Sequence, residues 1–127
     1  MSDSGYGDYK DLIVWQKGIR LVRCIYQLTG KFPAEEKFGL ISQMRRAAVS
    51  IPSNLAEGQA RNSVAEFIHF ISYSEGSAAE LDTQLIVAID LGFVLNEHAQ
   101  EAFGLILELR KMLSALRIKL AGKKSSS

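Results

Sequence analysis

Residues 45–80 read RRAAVSIPSNLAEGQARNSVAEFIHFISYSEGSAAE, and how this stretch is wound decides the fold. At helical spacing Met44, Ala48, Ile51 and Leu55 form an apolar line. Gln43, Arg46, Ser50, Asn54, Glu57 and Arg61 form a polar line beside it. Ser63 and Glu66 then make a capping box, fixing the start of a new helix. That helix repeats the pattern: Phe67, Ile71, Ala78, Leu81 and Leu85 on the apolar side, Glu66, His69, Tyr73, Ser77, Glu80 and Gln84 on the polar side. Two helices joined by so short a connection lie antiparallel. The polar lines then face each other, placing Asn54 near His69, Ser50 near Tyr73 and Arg46 near Glu80. Pro52 removes the backbone hydrogen bond to Ala48, so a kink is expected there.

Two further helices flank this hairpin. The first runs from about Tyr9 to Thr29 on the stripe Leu12, Trp15, Ile19, Val22 and Tyr26, and ends at Gly30 and Pro33. A helix beginning near Pro33, with Glu35 and Glu36 at the positive end of its dipole and Phe38 and Ile41 on its apolar side, leads into residues 45–58. The last starts from Asn96 and presents Ala99, Phe103, Ile106, Leu109, Leu113, Leu116 and Leu120. The expected architecture is all-α: an up-down-up-down antiparallel four-helix bundle with a kinked second helix, over residues 9–121. Residues 1–8 and the basic tail 122–127 are expected to be disordered. Val14, Leu21 and Leu28 form a second apolar line on the first helix, wide enough to suggest an interface with another subunit; the alternative is that it faces the rest of its own bundle.

The 127 residues suit one domain able to close a core without disulfides. Cys24 is the one cysteine, and MSDSGYGDYKD lacks the order of a secretory signal, so a cytoplasmic location is expected. LIVAIDLGFVL at 85–95, interrupted by Asp90, is too short to span a bilayer; no membrane partner is expected.

Fifteen Lys and Arg balance fourteen Asp and Glu, for a net charge of +1. The distribution is uneven. Residues 9–31 hold five cations against one aspartate, whereas residues 61–92 hold one arginine against five carboxylates. Lys10, Lys17, Arg20, Arg23 and Lys31 form a basic stripe on the first helix, the pattern phosphate binding requires. Arg45, Arg46 and Arg61 add to it. The alternative for such a stripe is a solvated face, and for Arg46 a buried partner in the seam.

Chemistry beyond binding finds little support. No serine has a histidine base placed beside it, and no carboxylate pair stands out, so a non-enzymatic protein is expected. Glu66 and His69 match the Glu-x-x-His spacing of carboxylate-bridged metal sites, but His98 has Leu95 where the second motif needs a glutamate. No metal and no cofactor is therefore expected. Cys24 shares a face with Lys17, Arg20 and Lys31, a setting that lowers a thiol pKa, yet no resolving cysteine accompanies it.

DLIVWQKGIRLVRCIYQLT (11–29), FP (32–33), FGLISQMRRAAVSIPSNLAEGQAR (38–61) and EFIHFISYSEGSAAELDTQL (66–85) together resemble the four-helix-bundle family encoded in intervening sequences of bacterial 23S ribosomal RNA genes. The resemblance spans roughly residues 9–120. It implies a bundle that assembles as a homopentamer. The related accessory variability determinants of retroelements form basic pentameric barrels that bind nucleic acid and a reverse transcriptase. Residues and resemblance together lead to an oligomeric bundle that binds RNA or DNA through phosphate contacts; the alternative is a scaffold for a protein partner.

Overall fold

The computed structural model describes residues 8–125. Four α-helices make up the architecture: α1 (Ile13–Thr29), α2 (Leu40–Gln59), α3 (Val64–Asp90) and α4 (Gln100–Ser125). Each packs on the next and α4 closes back on α1, giving the expected all-α bundle, with no strand among the described residues.

The helix ends follow from their side chains. Ser63 Oγ accepts from the Glu66 N–H at 3.1 Å and donates to the Glu66 carboxylate, so the capping pair starts α3 as anticipated. At the other end Gly92, at φ +81°, adopts the left-handed conformation that suits glycine. Its N–H donates to Ile89 and that of Phe93 to Ala88, a Schellman closure that satisfies two orphan carbonyls. Phe93 then lies against Phe32 at 5.7 Å between ring centroids, tying the α3–α4 connection to the α1–α2 connection.

Several boundaries differ from the sequence expectation. Pro33 leads only a 3-10 turn (Ala34–Glu36), and α2 starts at Leu40. The Glu36 carboxylate accepts from the Leu40 N–H at 3.2 Å, so it caps the helix instead of lying inside it. At the C-terminus α4 continues through Gly122 to Ser125, so residues 122–125 of the expected tail are helical. Asp8, expected to be disordered, accepts from the Lys10 N–H and caps a 3-10 turn over Tyr9–Asp11. Residues 1–7 and 126–127 lie outside the described residues.

α1 is rotated from its expected orientation. Val14, Leu21 and Ile25 are buried in the bundle core, and Leu28 packs against it. Trp15 and Val22, expected at the centre, are only half-buried, and Tyr26 is exposed. The buried line of α1 is Val14, Gly18, Leu21, Ile25, in which Gly18 adds no apolar side chain to the periodicity. A Cβ at Gly18 would sit 3.4 Å from Cβ and Cδ of Pro52, so this line of α1 packs directly against the proline ring. The supposed subunit interface of Val14, Leu21 and Leu28 is thus core-facing surface of the same chain. Pro52 is buried, and α2 runs as one helix through it.

Gly58 sets the second close approach. A Cβ there would meet Phe70 Cβ at 2.6 Å and Phe67 Cδ1 at 3.0 Å, so α2 and α3 converge where the hairpin turns.

Candidate nucleic-acid interface

Polar groups between α2 and α3 satisfy one another only in part, through serines and not through the partners the spacing suggested, and the buried Gln84 Oε1 has no hydrogen-bond partner among the described residues. Ser50 Oγ donates to Ala47 and meets Ser77 Oγ at 2.5 Å, about one helical turn beyond Tyr73. Buried Ser74 donates to the Ile51 carbonyl at 2.9 Å, and Asn54 donates to the Ser50 carbonyl at 2.8 Å within α2. His69 bonds Tyr73 of its own helix at 2.7 Å. Arg46 and Glu80 form no ion pair; Arg46 is exposed and Glu80 accepts from Gln84. Serine hydroxyls reach only short partners, so close helices pair serine with serine and leave the long charged ends outside.

The segregated charges find each other across α4. Its acidic side faces α1: Glu108 pairs with Lys17 and Glu101 with Arg20, each at 3.2 Å. Its basic side faces α3: Arg117 donates to Glu75 at 2.8 Å, and Arg110 lies 4.0 Å from Asp82. Glu101 and Glu108, like Arg110 and Arg117, are seven residues apart, so each pair holds one face of the helix.

This pairing divides the eight candidate cations. Lys10 lies 3.9 Å from Asp8, and Arg61 pairs with Glu57 at 2.9 Å while covering the Phe70 ring at 4.9 Å. With Lys17 and Arg20, these four have a carboxylate partner. Arg23, Lys31, Arg45 and Arg46 form no ion pair among the described residues. The basic stripe on α1 is therefore partly neutralised, because a neighbouring helix carries acids that reading α1 alone does not reveal.

The structure gathers Arg45 and Arg46 at the α1–α2 edge. They line an open groove with Tyr26, Lys37, Phe38, Ile41, Ser42 and Val49, and no carboxylate joins them. Arg45 is held firmly. Its Nε donates to Thr29 Oγ1 at 2.9 Å, its Nη2 to the Tyr26 carbonyl at 3.4 Å, and its guanidinium lies 4.3 Å over the Tyr26 ring. Thr29 is itself fixed by donating to Ile25 at 2.7 Å. A cation at the C-terminus of α1 also meets the negative end of that helix dipole. Since a guanidinium has five N–H donors, these two bonds leave others for an anion. Lys37 Nζ stands 5.6 Å from the Phe38 ring centroid.

Lys37, Phe38 and Tyr26 were missing from the sequence candidates. Phe38 and Tyr26 fit apolar stripes, a pattern that predicts burial, yet Phe38 is 90% exposed and Tyr26 44%. The late start of α2 places Phe38 before the helix, and the rotation of α1 turns Tyr26 outward.

Cys24 does not show the pKa lowering that its cationic neighbours could have caused, in line with an inert thiol. The side chain is buried, and its pKa is raised, first by desolvation and then by the Glu101 carboxylate, with Arg20 acting in the opposite direction. Among the described residues no three His, Cys, Asp or Glu side chains converge as a metal site would require, and no helix is long and apolar enough to cross a membrane.

Fold and surface together define a four-helix-bundle protein with one cationic, aromatic edge. Over residues 10–115 the sequence matches the model of the 23S rRNA-intervening sequence protein family, and the chain belongs to that family. Among solved structures it is similar to a protein of unknown function from the S23 ribosomal protein family of Bacteroides thetaiotaomicron, with a TM-score of 0.75 at 21% identity, covering 83% of this chain and 98% of that one. At this identity the likeness establishes the fold. No curated protein matches the sequence.

Proposed function

We propose that this protein binds nucleic acid through phosphate contacts at the α1–α2 edge. The observation that carries the reading is the groove in which Lys37, Arg45 and Arg46 gather with no lining carboxylate. Cations so placed attract a polyanion, whereas Lys17 and Arg20 must first give up Glu108 and Glu101. Arg23 lies in a separate pocket that Glu101 also lines, and Lys31 follows the end of α1, so neither is part of this groove. Phosphate contacts of this kind fix position without reading sequence, and their strength falls steeply with salt. The test is to sequence nucleic acid copurified at low salt with the tagged protein and with the K37Q/R46Q variant. The reading predicts recovery with the first and strong depletion with the second; equal recovery would contradict it.

A second reading, association with another copy of the chain or with a protein partner, has its own support. Ile86, Val87, Leu91 and Leu95 are 54%, 40%, 58% and 59% exposed around the C-terminal end of α3. Apolar surface so grouped is characteristic of an interface. A homopentamer of the kind the resemblance implies would draw on this face, now that Val14 and Leu21 belong to the core. V87E/L91E should lower the mass measured by light scattering; an unchanged mass would remove these residues from the contact.

A further inference from the structure

Phosphate binding leaves the aromatic content of the groove unexplained. A cationic groove needs no phenyl ring, and a ring as open to water as Phe38 forgoes the burial that would stabilise it. The two exposed rings are each paired with a groove cation, Phe38 with Lys37 and Tyr26 with Arg45. Such a pair offers a flat surface with a positive charge at its edge or on its face.

The two kinds of polyanion use that surface differently. A duplex turns its phosphates outward and hides the faces of its bases in the stack, so exposed rings beside the cations add nothing to its binding. An unpaired strand offers both phosphates and free base faces. Phe38, in the turn before α2, and Arg45, within α2, line the same groove.

We infer that the groove takes single-stranded nucleic acid, with one base stacked on Phe38, another on the Arg45–Tyr26 pair, and phosphates at Lys37 and Arg46. The inference rests on the proposed function and names the class of its ligand. The charge of the groove selects this occupant over an apolar segment, since Lys37, Arg45 and Arg46 would be desolvated against one without compensation. Ile41 and Val49 supply the apolar part of the lining, where sugar and base edges would lie.

The test uses fluorescence anisotropy at about 50 mM salt, with a labelled oligouridine dodecamer and an RNA duplex of equal length. F38A is compared with the parent and with F38W, which keeps a stacking surface. Because Phe38 is 90% exposed, its truncation leaves the core intact. The inference predicts tighter binding of the single strand than of the duplex. F38A should weaken oligouridine by about fivefold or more, as loss of one stacked base implies, leave the duplex unaffected, and be rescued by F38W. Duplex binding as tight as single-strand binding, or F38A acting equally on both, would overturn it while leaving phosphate recognition standing. Binding of neither probe would remove both readings. A change in light-scattering mass on F38A would overturn the inference by assigning Phe38 to a contact between copies.

Discussion

Gly58 and Gly76 give the packing account its sharpest test, because the same substitution should act in opposite directions at the two sites. Both glycines lie inside helices, where replacement by alanine gains about 0.8–1 kcal/mol of helix propensity. At Gly76 nothing stands within 4 Å of the added Cβ, so G76A should stabilise by about that amount. At Gly58 the methyl would meet Phe70 Cβ at 2.6 Å, an atom fixed to the α3 backbone that no rotamer change can move aside. The helices must separate at the hairpin, and overpacking of this kind costs about 1–3 kcal/mol. Net of propensity, G58A should destabilise by up to about 2 kcal/mol. Thermal unfolding at fixed protein concentration reads the difference, at about 4 °C per kcal/mol for a chain of this size. Midpoints moving upward for G76A and downward for G58A are expected. If G58A raises the midpoint as G76A does, the close approach of α2 and α3 is wrong.

The remaining predictions concern α1 and its neighbours. L21A, at a side chain fully buried within the chain, should cost about 2–5 kcal/mol in denaturant unfolding, independent of protein concentration; a concentration-dependent loss would return Leu21 to a subunit interface. E101Q/E108Q releases Arg20 and Lys17, and should tighten binding of an oligonucleotide at low salt while changing stability by less than about 1 kcal/mol, as exposed pairs do. No gain in affinity would show those cations to be out of the ligand's reach. Cys24, whose pKa burial raises, should alkylate far more slowly in the native protein than in urea at pH 8. Because the unfolded thiol ionises first, its contribution to stability is complete below the unfolded pKa and declines as pH rises through it, visible as a falling unfolding midpoint above about pH 8.5. A midpoint that rises there with Cys24, relative to C24A, would contradict the burial argument.

Which parts of this fold were legible in the sequence depended on what side chains can signal. The Ser63–Glu66 cap was readable because both partners are local. The orientation of α1 was not, because its core line passes through Gly18, which adds no apolar residue to a periodicity. Once α1 was misoriented, Val14 and Leu21 looked superfluous and Tyr26 looked buried. The polar seam was foreseen as a feature but not in its pairings, since Arg46 opposite Glu80 satisfies a spacing rule while solvent offers both groups a better setting than a narrow interface. At the candidate site the sequence supplied Arg45 and Arg46 but not their setting. The long-range pairs Lys17–Glu108 and Arg20–Glu101 decide which cations are available, and they join segments more than eighty residues apart.

The phosphate reading is tested most directly by the salt dependence of binding to a labelled oligouridine, measured for the parent and for K37Q/R46Q by fluorescence anisotropy. Each phosphate contact on a single strand contributes about 0.7 to the slope of log K against log salt, so removal of two should flatten it by about 1.4. Binding at low salt, a steep negative slope and that flattening are the predicted result, with the variant's unfolding midpoint unchanged. Equal slopes for the two proteins, or no binding by the parent at low salt, would contradict the assignment of the α1–α2 edge as the nucleic-acid interface.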